Sequence, residues 1–155
     1  MIDTPARVAF LKKIPIFYGL DDAQIEALAN DMEEVRVPNG EVIFKQDTTS
    51  ESFYMIHQGS VRIVRKQGNK EEQLAVLVSN DYFGEMGLIG RRKRSGTVTA
   101  TSDTLLFVLT RAKFEKIYKR TPQLRLNLDV AVRSRRLART LRFKWIRKDE
   151  VIYFL

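Results

Sequence analysis

The sequence predicts a mainly β domain with flanking helices: an antiparallel β-roll of jelly-roll type, entered through N-terminal helices and followed by a long C-terminal helix. Three observations predict it. Apolar residues recur at three- and four-residue spacing up to Met32. From Val35, short runs rich in Val, Ile, Phe and Tyr alternate with Gly, Asn, Asp and Ser clusters. After Ala112 the helical period returns. A period near 3.6 marks one face of a helix, whereas short β-branched and aromatic runs between turn residues mark strands.

Phe10, Leu11, Ile14, Ile25, Leu28, Ala29 and Met32 make residues 8–32 helical, broken by Pro15 and Gly19, with Asp21 placed to cap the second piece. Strands are predicted near 34–37, 41–45, 53–57, 60–66, 72–77, 96–100 and 104–110. Two turns set the register: His57-Gln58-Gly59-Ser60, and the hairpin Gln67-Gly68-Asn69. Ala112 to Arg120 is a short amphipathic helix. Thr121-Pro122, a cap before proline at the first helical position, opens a long helix to about Arg147. Its apolar stripe is read as Leu126, Val130, Leu137, Leu141 and Trp145. The organisation is therefore a β-roll with N-terminal helices over 1–121 and a basic tail over 122–155.

The 155 residues fit one domain, and the 44% hydrophobic content suffices for a core. With no cysteine there is neither a disulfide framework nor a thiolate metal site, and a reducing, cytoplasmic setting is expected. The first residues lack a signal-peptide pattern, and no run of about eighteen apolar residues spans a membrane. The net charge of +8 is unevenly placed. Residues 1–121 hold 18 basic and 16 acidic side chains, whereas residues 122–148 hold 9 basic and one acidic. The basic excess belongs to the tail.

The segment from Asp81 to Val98 has the parts of an anion site. Gly84 and Gly87 let the backbone approach a ligand closely. Residues 86–89 suffice for one helical turn whose free N–H groups face a phosphate. Arg94 offers a two-pronged, charge-assisted contact to a phosphodiester. Glu85 would repel phosphate, so its presence suits a ligand that also carries a hydroxyl donor, such as a ribose 2′-OH.

This segment resembles the phosphate-binding cassette of cyclic nucleotide-binding domains, as in regulatory subunits of cAMP-dependent protein kinase and the catabolite activator protein. The shared features are Phe83-Gly84-Glu85, Gly87 two residues on, the aliphatic pair Leu88-Ile89, Arg94 nine residues after Glu85, and the small Ser95. The stretches 11–20, 38–44 and 53–61 are also similar to the family, so the likeness covers roughly residues 10–120. It implies that Glu85 accepts from the ribose 2′-OH. Arg94 would pair with the cyclic phosphate, helped by Ser95 and by backbone N–H groups around Met86 to Leu88. Leu74 would pack against ribose or base. Departures are Asp47 and Ser50 where many members have glycine, Lys93 for a common proline, and Gly96 for a common alanine. Arg91-Arg92-Lys93 make the loop basic enough for cyclic dinucleotides to remain an alternative ligand.

The implied function is that of a sensor for a cyclic nucleotide, cAMP or alternatively cGMP, without cofactor, metal or catalysis. The lone His57 is placed at a hairpin end on the surface, with no partner for metal or nucleophilic chemistry. A plainer reading leaves Arg91, Arg92 and Lys93 as solvated loop and pairs Glu85 with Arg94 in a ligand-free interaction or dimerisation module. In the family the helix after the roll closes over the base, so the tail is expected to act as a lid. Its basic face suits a homodimer seam, an anionic membrane or nucleic acid. The apolar stub Val151 to Leu155 reads as the start of a continuing or juxtamembrane segment. The residues after the long helix are too few for a DNA-reading domain, so the output is expected elsewhere.

Overall fold

A computed structural model describes residues 1–49, 51–85 and 93–146, with side chains through Arg135. Helix α1 (Thr4–Leu11) starts four residues earlier than the apolar spacing predicts, because the Asp3 side chain accepts from the Ala6 N–H and Pro5 fits the first turn. A 3₁₀ turn follows at Pro15–Phe17, and then α2 (Asp22–Asp31). Asp21 caps α2 in a full capping box. Its carboxylate accepts from the Gln24 N–H at 2.8 Å, and the Gln24 side chain accepts from the Asp21 N–H at 2.9 Å.

The strands are β1 (Glu33–Val37), β2 (Val42–Phe44), β3 (Ser52–Gln58), β4 (Ser60–Gln67), β5 (Lys70–Val78), β6 (Tyr82–Phe83), β7 (Thr97–Ala100) and β8 (Thr104–Thr110). They form two four-stranded antiparallel sheets, ordered β1-β8-β3-β6 and β2-β7-β4-β5. The seven expected strands are present within a few residues of their predicted bounds. The strand β6 is additional; two residues between loops carry no alternation to read.

Two cores result. Ile56, Val61, Ile63, Leu74, Leu77, Phe83, Val98 and Leu106 fill the space between the sheets. On the other face of the first sheet, Phe53 and Met55 of β3 and Phe107 and Leu109 of β8 meet the helices. Strand β8 is thus covered on both faces, which is why Leu105 to Leu109 is an unbroken apolar run rather than an alternating one.

Helix α3 (Arg111–Arg120) is capped by Thr110, whose hydroxyl accepts from the Lys113 N–H, and buries Phe114 in the helical core. Helix α4 runs from Pro122 to Ile146. The stripe predicted for it is on the wrong face: Leu126 and Val130 are 58% and 57% exposed. The buried apolar positions are Leu124 and Leu128, both fully covered, with Ala131 packed beside them. Asn127 fixes this rotation by donating to the Ile16 and Tyr18 carbonyls at 2.9 and 2.8 Å. The side chains of Leu137, Leu141 and Trp145, and the 151–155 stub, lie outside the described residues.

His57 also departs from expectation. It is half-buried beneath α1 rather than on the surface, 5.3 Å edge-on to Phe10 and 5.1 Å from Phe107. Its Nδ1 is buried without a partner, and burial lowers its pKa. Among the described residues no helix is long and apolar enough to cross a membrane, and no group of three His, Cys, Asp or Glu could hold a metal ion.

Candidate functional site

The site forms where β6 ends and β7 is about to begin. Strand β6 pairs with β3 through Tyr54–Phe83 and Met55–Tyr82, which carries Gly84 and Glu85 to the edge of the first sheet. Arg94 arrives from the other side, just before β7. Its backbone is clasped by the loop after β2: the Asp47 N–H donates to the Arg94 carbonyl and the Arg94 N–H to the Thr48 carbonyl, both at 2.9 Å. Asp47 adopts φ 65°, the left-handed region that aspartate tolerates better than most side chains. The departure from glycine at this position therefore preserves the turn.

The Arg94 side chain runs inward and is 5% exposed. Nη1 donates to the Gly84 carbonyl at 3.0 Å and Nη2 to the Ser52 carbonyl at 2.7 Å. The guanidinium lies 4.0 Å from the Phe44 ring centre and 5.7 Å from that of Tyr54. Tyr54 in turn stacks on Phe83 at 5.0 Å, with the planes 6° apart. Aromatic faces favour a cation, but they do not cancel its charge. Among the described residues Arg94 has no carboxylate partner, and its Nε is buried with nothing to bond. Burial pulls its pKa below the ordinary arginine value.

Glu85 is buried to 1% exposure, and its counter-ion is Arg135 of α4. The Arg135 guanidinium donates to Glu85 Oε1 and, at 3.2 Å, to the Tyr82 carbonyl. It lies 4.0 Å from the centre of the Tyr82 ring. Burial raises the Tyr82 phenol above its usual value, although Arg135 beside it pulls the other way. The pairing of Glu85 with Arg94 expected for a ligand-free module is therefore not the one found.

Of the residues singled out from the sequence, the fold brings together Gly84, Glu85 and Arg94. Ser95 is exposed beside them, as is Lys93. Leu74 is 2% exposed and sits in the core between the sheets with Phe83. Met86, Gly87, Leu88, Arg91 and Arg92 lie outside the described residues. In the sequence Arg135 is only one of the nine basic side chains of residues 122–148, and neither the Phe44–Tyr54–Phe83 cluster nor the Ser52 carbonyl is marked there. Fifty positions separate Glu85 from Arg135, and no local spacing connects them.

Comparison with known proteins gives a match over residues 34–121 to the family described as the cyclic nucleotide-binding domain. The chain is 32% identical, over 82% of its length, to the cyclic AMP receptor protein of Thermus thermophilus, of which it covers 59%. It is 31% identical to cGMP-dependent protein kinase isozyme 1 of Drosophila melanogaster, over 84% of the chain and 17% of the relative. It is also 31% identical to a cAMP-dependent protein kinase regulatory subunit of Blastocladiella emersonii, over 66% and 26%. The chain thus spans less than two thirds of each of these relatives. Among solved structures it resembles the Thermus thermophilus catabolite activator protein, with a TM-score of 0.71 at 31% identity over 87% of this chain and 62% of that one.

Proposed function

The chain belongs to the cyclic nucleotide-binding domain family, a family of regulatory binding modules, and on that footing we propose that it senses cAMP through Arg94 and Glu85. One observation carries the reading: Arg94 is a buried cation with no anion beside it among the described residues. A buried charge is stable only when compensated. Two of the five guanidinium N–H groups are spent on the Gly84 and Ser52 carbonyls, which leaves Nε–H and two more for an anion. A cyclic phosphodiester carries one negative charge and oxygen acceptors, which suit those remaining donors. Phe44 and Tyr54 fix the guanidinium plane, so little order is lost when the phosphate arrives.

Glu85 supplies the other half of the recognition by accepting from the ribose 2′-OH. Ser95 and the N–H groups of Gly87 and its neighbours Met86 and Leu88 complete the phosphate contacts, with Leu74 behind the sugar. The Thermus and Blastocladiella relatives support cAMP by their names; the Drosophila kinase keeps cGMP as the second ligand. The domain works in the cytoplasm and passes occupancy through α4 to an output beyond this chain, with a homodimer along α4 as part of the same proposal. A ligand-free interaction module is the second reading, favoured by a Glu85 already neutralised within the chain.

The test is calorimetric titration with cAMP and cGMP, with 5′-AMP as control. The sensor reading predicts dissociation constants of about 1 μM or tighter for a cyclic nucleotide and much weaker binding of 5′-AMP. Absence of heat with both cyclic nucleotides contradicts it and favours the interaction module.

A further inference from the structure

His57 is the chain's single histidine, and its ring closes a triangle with two buried phenylalanines. Phe10 of α1 lies 5.3 Å away and edge-on, Phe107 of β8 lies 5.1 Å away, and the two phenyl rings are 5.2 Å from each other. The His57 Nδ1 is buried, with no hydrogen-bond partner among the described residues. A neutral ring suits that place, with its proton on Nε2 and only a lone pair left unused at Nδ1. A proton on Nδ1 adds a charge and an unmet donor there. Burying an uncompensated charge costs far more than burying an unused lone pair.

The charged groups around the ring do not offset that cost. Arg7 of α1 lies 5.3 Å from the centre of the Phe107 ring, and Lys13, just after α1, opposes a charge on His57. On β1, Glu34 stands opposite Phe107 and Arg36 opposite Leu105. Glu34 favours the charged ring, but it is already engaged: it accepts from Arg7 Nη2 at 3.2 Å and from the Ile2 N–H, and the chain's amino group acts on it too. Strands β3 and β8 carry no other charged side chain. An imidazolium at position 57 therefore meets three cations and one carboxylate that already has a partner.

The cost falls on α1. His57 belongs to β3, which is paired with β8 on one side and β6 on the other. Phe10 belongs to a helix of eight residues near the start of the chain. That helix is held by its buried face, by Arg7 donating to the Ala29 and Met32 carbonyls, and by Thr4 donating to Asn30. Moving α1 brings water to Nδ1, whereas moving β3 breaks a sheet.

We infer that His57 is an acid-operated latch for α1: when its ring gains a proton, α1 lifts from the first sheet while the roll stays folded. The latch is independent of the nucleotide reading, since His57 and Ser52, which bonds Arg94, stand near opposite ends of β3. Lifting α1 returns the ring to water, so opening takes up one proton. The closed form is favoured above the ordinary imidazole value, and the opening equilibrium gains up to about tenfold for each pH unit below ~6.5.

Amide hydrogen exchange on the unmodified chain at about pH 7.5 and about pH 5.5, expressed as protection relative to the intrinsic rate at each pH, tests the latch. One-proton opening lowers the protection of Val8 to Leu11 about tenfold between these two values and leaves Phe53 to Ile56 unchanged. In His57→Phe, which keeps a ring but cannot titrate, the protection of α1 should not depend on pH. The lone imidazole gives a second readout that needs no variant: its proton magnetic resonance signal should titrate below ~6.5. Protection of α1 that is indifferent to pH overturns the latch, as does an equal loss in β3 or a response that persists in His57→Phe. So does an imidazole that titrates at its ordinary value, because the ring would then reach water without moving α1.

Discussion

Gly84 and Arg94 are fitted to each other: a β-carbon at position 84 would stand 2.7 Å from Arg94 Nη1 and 3.1 Å from the Ser52 carbonyl oxygen. Gly84 also holds φ 92°, which side chains other than glycine's adopt only under strain. The absent side chain is the space the guanidinium occupies, and the Gly84 carbonyl is what that guanidinium bonds. Glycine at this place is therefore part of the way Arg94 is set.

Gly84→Ala accordingly pushes the guanidinium off its two carbonyls and strains the backbone. A loss of about 1–3 kcal/mol in unfolding free energy is expected from the backbone alone. Denaturant unfolding reads that loss, and a cAMP titration of the same variant should show weakened binding. Wild-type stability together with wild-type binding would mean that the fit is incidental.

The two faces of α4 make a sharp contrast. Leu128→Ala empties a fully buried position and should cost about 2–5 kcal/mol. Leu126→Ala, at 58% exposure, should change stability by no more than about 0.5 kcal/mol. Thermal or denaturant melts of the two variants decide it. The reverse ranking would restore the Leu126–Val130 stripe as the buried face.

That stripe explains part of what the sequence leaves unread. Leu124, Leu128 and Ala131 and, separately, Leu126 and Val130 both keep helical spacing, so periodicity offers two faces and tertiary contact chooses one. The choice is made by Asn127 reaching the Ile16 and Tyr18 carbonyls more than a hundred positions away. The strands were legible because turn residues such as Gly59 and Gly68 bracket their β-branched runs. Strand β6 was not, since two residues exist as a strand only through β3. In the site, Gly84, Glu85 and Arg94 were legible from residue type and spacing. The partner of Glu85 was not, because a contact between β6 and α4 leaves no local pattern.

His57 was misread for the same reason, and its placement has a consequence in pH. Burial against Phe10 and Phe107 lowers its pKa below the ordinary imidazole value, with Glu34 acting to raise it and Lys13 to lower it. The fold therefore favours the neutral ring. The stability this contributes is present above the unfolded-state value, near ~6.5, and is lost as pH falls through that value toward the lower folded one. Unfolding midpoints at about pH 7.5 and about pH 5.5 should diverge less in His57→Phe than in the unmodified chain. An unchanged gap would place the pH dependence elsewhere.

The most direct test of the central claim is a calorimetric titration of Arg94→Ala with cAMP beside the unmodified chain, with circular dichroism establishing that the variant is folded. A buried phosphate left without its guanidinium should cost on the order of 2–5 kcal/mol of binding, and cAMP affinity should fall accordingly. Binding of cAMP by Arg94→Ala at the affinity of the unmodified chain would contradict the account, because the buried cation would then have no part in holding the ligand.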